Sequence, residues 1–107
     1  MTPLVLLVAA LQAPPAEPVR AELCLAHVNL LIADAMRETG RVAGPSWFIR
    51  DWWDERTPEP GAPGALTRAQ RTALEQVLIE RRAADPQGFE AERSACVQEA
   101  IDGDALP

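Results

Sequence analysis

A chain of 107 residues has room for one domain, and its 48% hydrophobic and 24% charged residues exclude an intrinsically disordered protein. The net charge of −6 excludes nucleic-acid binding as the main function, because contact with phosphates requires a basic face and the pair Arg81-Arg82 is too small to supply one. All ten basic residues are arginine, a bias typical of GC-rich bacterial genes.

Residues 1–18 are predicted to be a secretion signal followed by a proline-rich spacer. Residues 4–11 form an apolar run that fits the core of a secretory signal but is far shorter than the roughly 20 residues of a membrane-spanning helix. A basic residue before this run, which such signals usually have, is missing, so the alternative is an apolar arm that packs on the domain. We expect a periplasmic or secreted bacterial protein with no stable membrane span in its mature form.

The two cysteines, Cys24 and Cys96, are predicted to form a disulfide. Neither belongs to a C-x-x-C pair, so the sequence gives no support to a zinc site or a thioredoxin-like site. In an oxidising compartment a lone pair of cysteines usually bridges. The alternative is a cytosolic protein with two buried free thiols.

Apolar periodicity and capping signals predict an all-α fold without a sheet. The four helices are expected at about 19–39, 46–56, 67–84 and 86–102, in a single domain 19–103 with a tail 104–107. Their ends are indicated by Gly40 as a left-handed terminator, Ser46 as an N-cap, a capping box from Thr67 to Gln70, and Asp85 as an N-cap before Pro86.

The first helix is expected to lie at the centre of the array. One broad apolar stripe contains Cys24, Leu25, Val28, Leu31, Ile32, Ala35 and Met36. Leu23 and Leu30 point elsewhere, which indicates contacts on two sides. The disulfide is most naturally formed if the first and last helices are antiparallel, and this predicted arrangement places Phe89 beside Leu31.

His27 is the only histidine, and it shares a strip of the first helix with Arg20, Asp34 and Glu38. A metal site of His27, Asp34 and Glu38 is disfavoured, because ligands to one ion on one helix lie three or four residues apart. Such a site would need a further ligand from the last helix, Glu92 or Glu99. We expect no metal and no cofactor.

Residues for catalysis are scarce. Ser46 is explained as a helix cap, Ser94 lies on the outer side of the last helix, and bridged cysteines leave no free thiol. Paired carboxylates, Asp51 with Asp54 or Asp54 with Glu55, could serve a glycosidase-like mechanism, but so small a domain offers little room for a cleft. We expect a protein that is not an enzyme.

The second helix holds all three tryptophans and one of the two phenylalanines. The residues that share one helical face and are expected to cover the core are Phe48, Ile49, Trp52 and Trp53. Trp47 lies on the opposite side, where an exposed tryptophan beside charged residues is typical of an interface anchor. The alternative is that Trp47 packs on the following loop through Pro58, Pro60 or Pro63.

These patterns favour a non-enzymatic module that binds a protein or peptide. The candidate binding residues are Trp47, Arg50, Asp51, Trp52, Trp53 and Asp54. One alternative is a small periplasmic hydrolase or metal-dependent protein that uses His27. A second is an acid- or envelope-stress holdase, since small disulfide-bridged helical proteins of the bacterial periplasm, acid-stress chaperones among them, share this size and plan.

Overall fold

The computed structural model describes residues 19–107, which form four helices and no strand. We number them α1 (Arg20–Thr39), α2 (Gly44–Glu55), α3 (Arg68–Ala84) and α4 (Pro86–Asp102). The predicted all-α fold is therefore confirmed. The predicted signal and spacer, residues 1–18, lie outside the described residues. Within residues 19–107, no helix has both the length and the apolar character needed to cross a membrane.

Three of the four predicted helix boundaries follow their local signals. Gly40 ends α1 in the left-handed conformation, with φ of 70°. Thr67 and Gln70 form the complete capping box at the start of α3, with bonds of 2.8 and 3.1 Å. The side chain of Asp85 accepts a bond from the amide of Gly88 and thereby caps α4.

The predicted cap of α2 is wrong. The N-cap residue is Ala43, and Ser46 lies inside the first turn of the helix. Pro45 explains the earlier start, because a proline in the first turn has a suitable φ and its missing N–H would be unpaired there in any case.

Helix α1 is central, as its two apolar sides predicted, and contacts each of the other three helices. One side joins a cluster with α2 and α4. The buried members of this first cluster are Cys24, Leu25, Val28, Ile32, Ile49, Trp53, Cys96 and Ala100. The other side carries Leu23 and Leu30 and packs against α3 and the start of α4.

The Cys24–Cys96 disulfide joins α1 to α4. The two Cα atoms are 5.2 Å apart and both side chains are fully buried. The ion pair Arg20–Glu99 lies on the same helix pair. Residue numbers fall along α4 as they rise along α1, which confirms the predicted antiparallel arrangement.

Phe89 corrects one predicted contact. Its ring is fully buried in the second cluster with Ala26, Leu30 and Leu78. Leu31, the predicted neighbour, is only half-buried and belongs to neither cluster. Phe89 therefore packs against the side of α1 that carries Leu30 and not against the predicted stripe that contains Leu31.

Candidate functional site

Two of the three tryptophans are held by the core. Trp53 is buried, and its indole N–H donates to the carbonyl oxygen of Cys96 at 3.0 Å, directly beside the disulfide. Trp52 is half-buried and donates to the carbonyl oxygen of Gly103 at 2.9 Å, while the guanidinium of Arg56 stacks 3.6 Å from its ring centre. The two indoles meet edge to face at 4.8 Å. Both side chains fix α2 to the C-terminal part of the chain, Trp53 on α4 and Trp52 on the residue that follows it.

The outer side of α2 exposes the other two aromatic side chains. Trp47 is 44% exposed and Phe48 is 47% exposed. The exposure of Trp47 was predicted, but the assignment of Phe48 to the buried face is wrong. Only Ile49 and Trp53 of α2 are fully buried, and Phe48 lies about 100° around the helix from Ile49, at the border of that narrow stripe.

Charged side chains surround Trp47. The guanidinium of Arg50 lies 5.6 Å from the ring centre of Trp47, and its Nη2 is 3.3 Å from Oδ1 of Asp51. Asp51 and Asp54 are exposed. We define the α2 face as Trp47, Phe48, Arg50, Asp51 and Asp54.

The proline-rich loop is held against α1 and α3. Glu22 accepts a bond from the amide of Leu66 at 2.8 Å, and Arg71 donates to the carbonyl oxygen of Pro58 at 2.5 Å. The loop follows the C-terminal end of α2, whereas Trp47 lies in the first half of that helix. These contacts give no support to the alternative in which Trp47 packs on the prolines.

His27 is fully buried and occupied by a structural interaction. Its Nε2 is 2.7 Å from Oε1 of Glu92, and because a carboxylate can only accept, Nε2 carries the proton. The same Glu92 oxygen accepts from Arg81 at 2.7 Å, and the ring packs 4.9 Å from that of Phe89. Burial lowers the pKa of His27 below 6.5, although the bond to Glu92 acts in the opposite direction.

Asp34 is the centre of an arginine cluster. Its Oδ1 accepts from Arg37 at 2.7 Å, and its Oδ2 accepts from Arg82 at 2.6 Å and from Arg93 at 3.2 Å. Burial acts to raise the pKa of Asp34, but the bonds from the three guanidinium groups outweigh it and place the pKa below its usual value. This cluster ties α1 to both α3 and α4.

The side chains considered for a metal site do not converge on one point, because most of them are paired with other residues. His27 pairs with Glu92, Asp34 pairs with arginines, Glu99 pairs with Arg20, and Glu38 is exposed. Among residues 19–107, no group of three histidine, cysteine, aspartate or glutamate side chains lies close enough to hold a metal ion.

The catalytic candidates are also dispersed. Ser46 lies in the first turn of α2, and Ser94 is exposed on α4. Asp54 and Glu55 are exposed on α2. The described residues bring neither serine within hydrogen-bonding distance of His27, whose contacts are given above.

A cleft between α1 and α3 was missed by sequence reasoning. It has a volume of about 30 Å³ and is lined by Glu22, Leu25, Ala26 and Asn29 of α1 and by Arg71, Leu74 and Glu75 of α3. We call it the α1–α3 cleft. The spacing of Glu22, Ala26 and Asn29 on one helix side was readable, but Arg71, the residue of α3 that pairs with Glu22, lies 49 positions along the chain.

Two features of the described chain thus remain open to a ligand or partner, namely the α2 face and the α1–α3 cleft. They lie on different sides of α1, because α2 packs on α1 and α4 whereas α3 packs on the other side of α1. Comparison with models of protein families, with curated proteins and with solved structures found no match.

Proposed function

We propose that this chain is an exported, non-enzymatic module that binds a protein through the α2 face. The observation that carries the proposal is a pair of adjacent aromatic side chains, Trp47 and Phe48, which are nearly half exposed on a helix fixed to the core by Ile49 and Trp53. Tryptophan, phenylalanine and arginine are enriched at the centre of protein interfaces. A helix already held in place loses little further conformational entropy on binding.

The charges of α2 indicate the chemistry of the partner. Arg50 is the only basic residue of this helix, against Asp51, Asp54 and Glu55. The partner surface is therefore expected to have an apolar groove for the two aromatic rings and basic residues at its rim. Such a rim would raise the rate of association and make it sensitive to salt.

Export is supported by two features. Residues 4–11 have the apolar character of a secretory signal, and the Cys24–Cys96 bond is of a kind that persists in oxidising compartments. The periplasm of a bacterium and the extracellular medium are such compartments.

A photoreactive phenylalanine analogue at position 47 or 48 tests the proposed surface. Val77 is the matched control position, because it is 49% exposed but lies on α3. In envelope extracts of the native host, we expect one crosslinked product from positions 47 and 48 and none from position 77. Excess wild-type protein should suppress the product, and a Trp47→Ala/Phe48→Ala competitor should not.

Equal labelling from positions 47 and 77 would contradict the proposal, as would suppression by the double variant that equals suppression by wild type. A product whose yield does not change with ionic strength would refute the basic rim of the partner while leaving the aromatic contact in place.

The holdase alternative is favoured by one observation, the buried His27–Glu92 pair. Protonation of the fully buried His27 would add a proton at Nδ1 and make the ring positively charged. The new N–H would have no acceptor, because Nδ1 has no partner among the described residues. Acid would thereby weaken the packing of α1 on α4. An apolar dye that binds no better at low pH than at neutral pH would exclude this function.

The hydrolase alternative receives less support from the same residue. His27 is 0% exposed and its Nε2 is engaged by Glu92, so a substrate could reach it only after the helices had separated. A His27→Ala variant that keeps its fold and every activity found for the wild type would exclude it.

A further inference from the structure

The chain that follows α4 turns back onto the core of the domain. The backbone turns at Asp104, whose φ is 66°. The amide of the next residue, Ala105, donates to the carbonyl oxygen of Ala100 at 3.0 Å, as in a Schellman motif. This turn brings Ala105 and Leu106 against the first cluster. We call residues 103–106 the strap.

The strap lies directly against Trp52. The indole N–H of Trp52 donates to the carbonyl oxygen of Gly103, the first residue of the strap, at 2.9 Å. A Cβ atom at position 103 would overlap Cζ2 of the same ring, so only glycine allows the backbone to come this close. The half-buried state of Trp52 is therefore partly due to the strap.

The ring of Trp52 continues the α2 face. Phe48 and Trp52 are four residues apart on α2, so their side chains are neighbours on the helix surface. Phe48 is 47% exposed, whereas Trp52 is bonded to the strap. The strap therefore borders the proposed binding surface and covers the next aromatic side chain along it.

The strap is held by fewer buried contacts than the helix before it. Ala105 and Leu106 are only half-buried, whereas Cys96 and Ala100 of α4 are fully buried. The turn also places Asp104 in the left-handed conformation, which is unfavourable for a residue with a Cβ atom. Segments with few buried apolar contacts open at a lower free energy than the whole domain. We therefore expect the strap to open while the four helices stay folded.

We propose that the strap is an intramolecular competitor of the partner, and that its release adds Trp52 to the α2 face. The displacing segment of the partner is extended and apolar. It has a leucine-like side chain in the place of Leu106 and a backbone carbonyl oxygen that accepts from Trp52 in the place of Gly103. The competition lowers the apparent affinity by the fraction of molecules with an open strap. The identity of the competitor rests on the proposed function, whereas the opening is a property of this chain alone.

Hydrogen exchange of the full chain, followed by NMR, measures the opening without a partner. The amide of Ala105 and the indole N–H of Trp52 are both bonded within the closed strap. The indole N–H of Trp53 is the control, because it donates to Cys96 inside the core. After correction for intrinsic rates, we expect equal protection of the first two groups and roughly tenfold or greater protection of Trp53 relative to them. Equal protection of all three would show that the strap opens only with the whole domain, which would overturn the proposal.

Two variants open the strap by different routes. Leu106→Ala removes its largest apolar side chain and should speed the exchange of the Trp52 indole roughly tenfold, whereas the exposed control Val77→Ala should not change it. Gly103→Ala introduces the overlap with the ring and should also speed this exchange. Exchange at Trp53 should stay unchanged in both. An equal acceleration at Trp53 and Trp52 would show general destabilisation and would contradict a local opening.

A synthetic peptide with the sequence of residues 103–107 and blocked ends tests the seat of the strap as a binding site. Followed through the indole N–H signal of Trp52, it should bind the full-length Leu106→Ala variant roughly tenfold or more tightly than wild type, whose own strap competes. The same peptide with alanine in place of its leucine should not bind. Equal affinity for variant and wild type, or binding to neither, would overturn the proposal. Neither this titration nor hydrogen exchange uses the native partner, so their failure is distinct from failure of the crosslinking test of the α2 face.

Discussion

Reduction of the Cys24–Cys96 bond is expected to lower the free energy of unfolding by about 4 kcal/mol. The bond joins residues that are 72 positions apart, so it closes most of the domain into one loop. In the chain-entropy model a loop of this length removes about 15 cal/mol/K from the unfolded ensemble, which corresponds to about 4 kcal/mol at 25 °C.

This loss is large relative to the total. A domain of about 90 residues has an unfolding free energy of roughly 4–13 kcal/mol, at 0.05–0.15 kcal/mol per residue. The reduced form is therefore expected to be close to its stability limit. Because both sulfur atoms are fully buried, reduction must be carried out on the unfolded chain before refolding.

Urea unfolding, followed by tryptophan fluorescence, to which the buried Trp53 contributes, gives the assay. Three forms are compared, namely the oxidised protein, the reduced protein and the Cys24→Ala/Cys96→Ala variant. The reduced protein keeps both sulfur atoms in the core, so its difference from the oxidised protein reports the cross-link alone. The double variant should be less stable again, because it also deletes two buried atoms.

A difference below about 1 kcal/mol between the oxidised and reduced forms would refute this reasoning. It would mean that α1 and α4 stay together in the unfolded chain without the bond. A double variant as stable as the reduced protein would refute the packing contribution of the two sulfur atoms.

Acid, core truncation and loss of a helix cap should each lower stability by a separate mechanism. Because burial lowers the pKa of His27 below 6.5, the unfolded chain binds more protons as the pH falls through 6.5, and the free energy of unfolding decreases from there down to the lower pKa of the folded state. Urea midpoints at about pH 7.5 and pH 5 should therefore differ more for wild type than for His27→Gln, since glutamine does not titrate. Phe89→Ala should lower the free energy of unfolding by about 3–5 kcal/mol, because the fully buried ring leaves a cavity, whereas the exposed control Val77→Ala should stay within about 0.5 kcal/mol. Thr67→Ala should lower it by about 1 kcal/mol through loss of the N-cap of α3, measured as a shift of the thermal midpoint by circular dichroism.

Each of these predictions can be contradicted separately. A His27→Gln variant with the pH dependence of wild type would show that another group titrates in this range. A Phe89→Ala variant no less stable than Val77→Ala would contradict the packing of the second cluster. An unchanged thermal midpoint of Thr67→Ala would show that the capping box does not limit stability.

The helices could be predicted from sequence because their ends are encoded locally. Gly40, the capping box at Thr67 and the Asp85-Pro86 step each act within one helical turn. Ser46 was wrong as a cap because Pro45 is also favourable inside the first turn of a helix. Local preferences alone therefore do not decide whether the helix begins before Pro45 or after Ser46.

The burial of the aromatic helix could be predicted only in part. Helical spacing placed Phe48 with Ile49 and Trp53, but how wide a stripe is buried depends on the neighbouring helices. Here the first cluster covers Ile49 and Trp53 and leaves Phe48 at its edge. The prediction of Trp47 as exposed needed no such knowledge, since it lies on the opposite side.

The polar interior could not be predicted, because its partners are distant in sequence. Glu22 reaches Leu66 and Arg71, and Asp34 reaches Arg82 and Arg93, over 44 to 59 positions. In the sequence alone such residues are ordinary charges of solvated helix sides. Only the packing of α3 and α4 on α1 turns them into buried ion pairs.

The proposed binding function depends on an exported domain closed by the Cys24–Cys96 bond. The intact mass of the protein from its native host, measured before and after reduction, tests this most directly. We expect a mass smaller than that of the full chain by a segment from within residues 1–18, and an increase equal to two hydrogen atoms on reduction. A full-length mass that does not change on reduction would contradict both export and the disulfide.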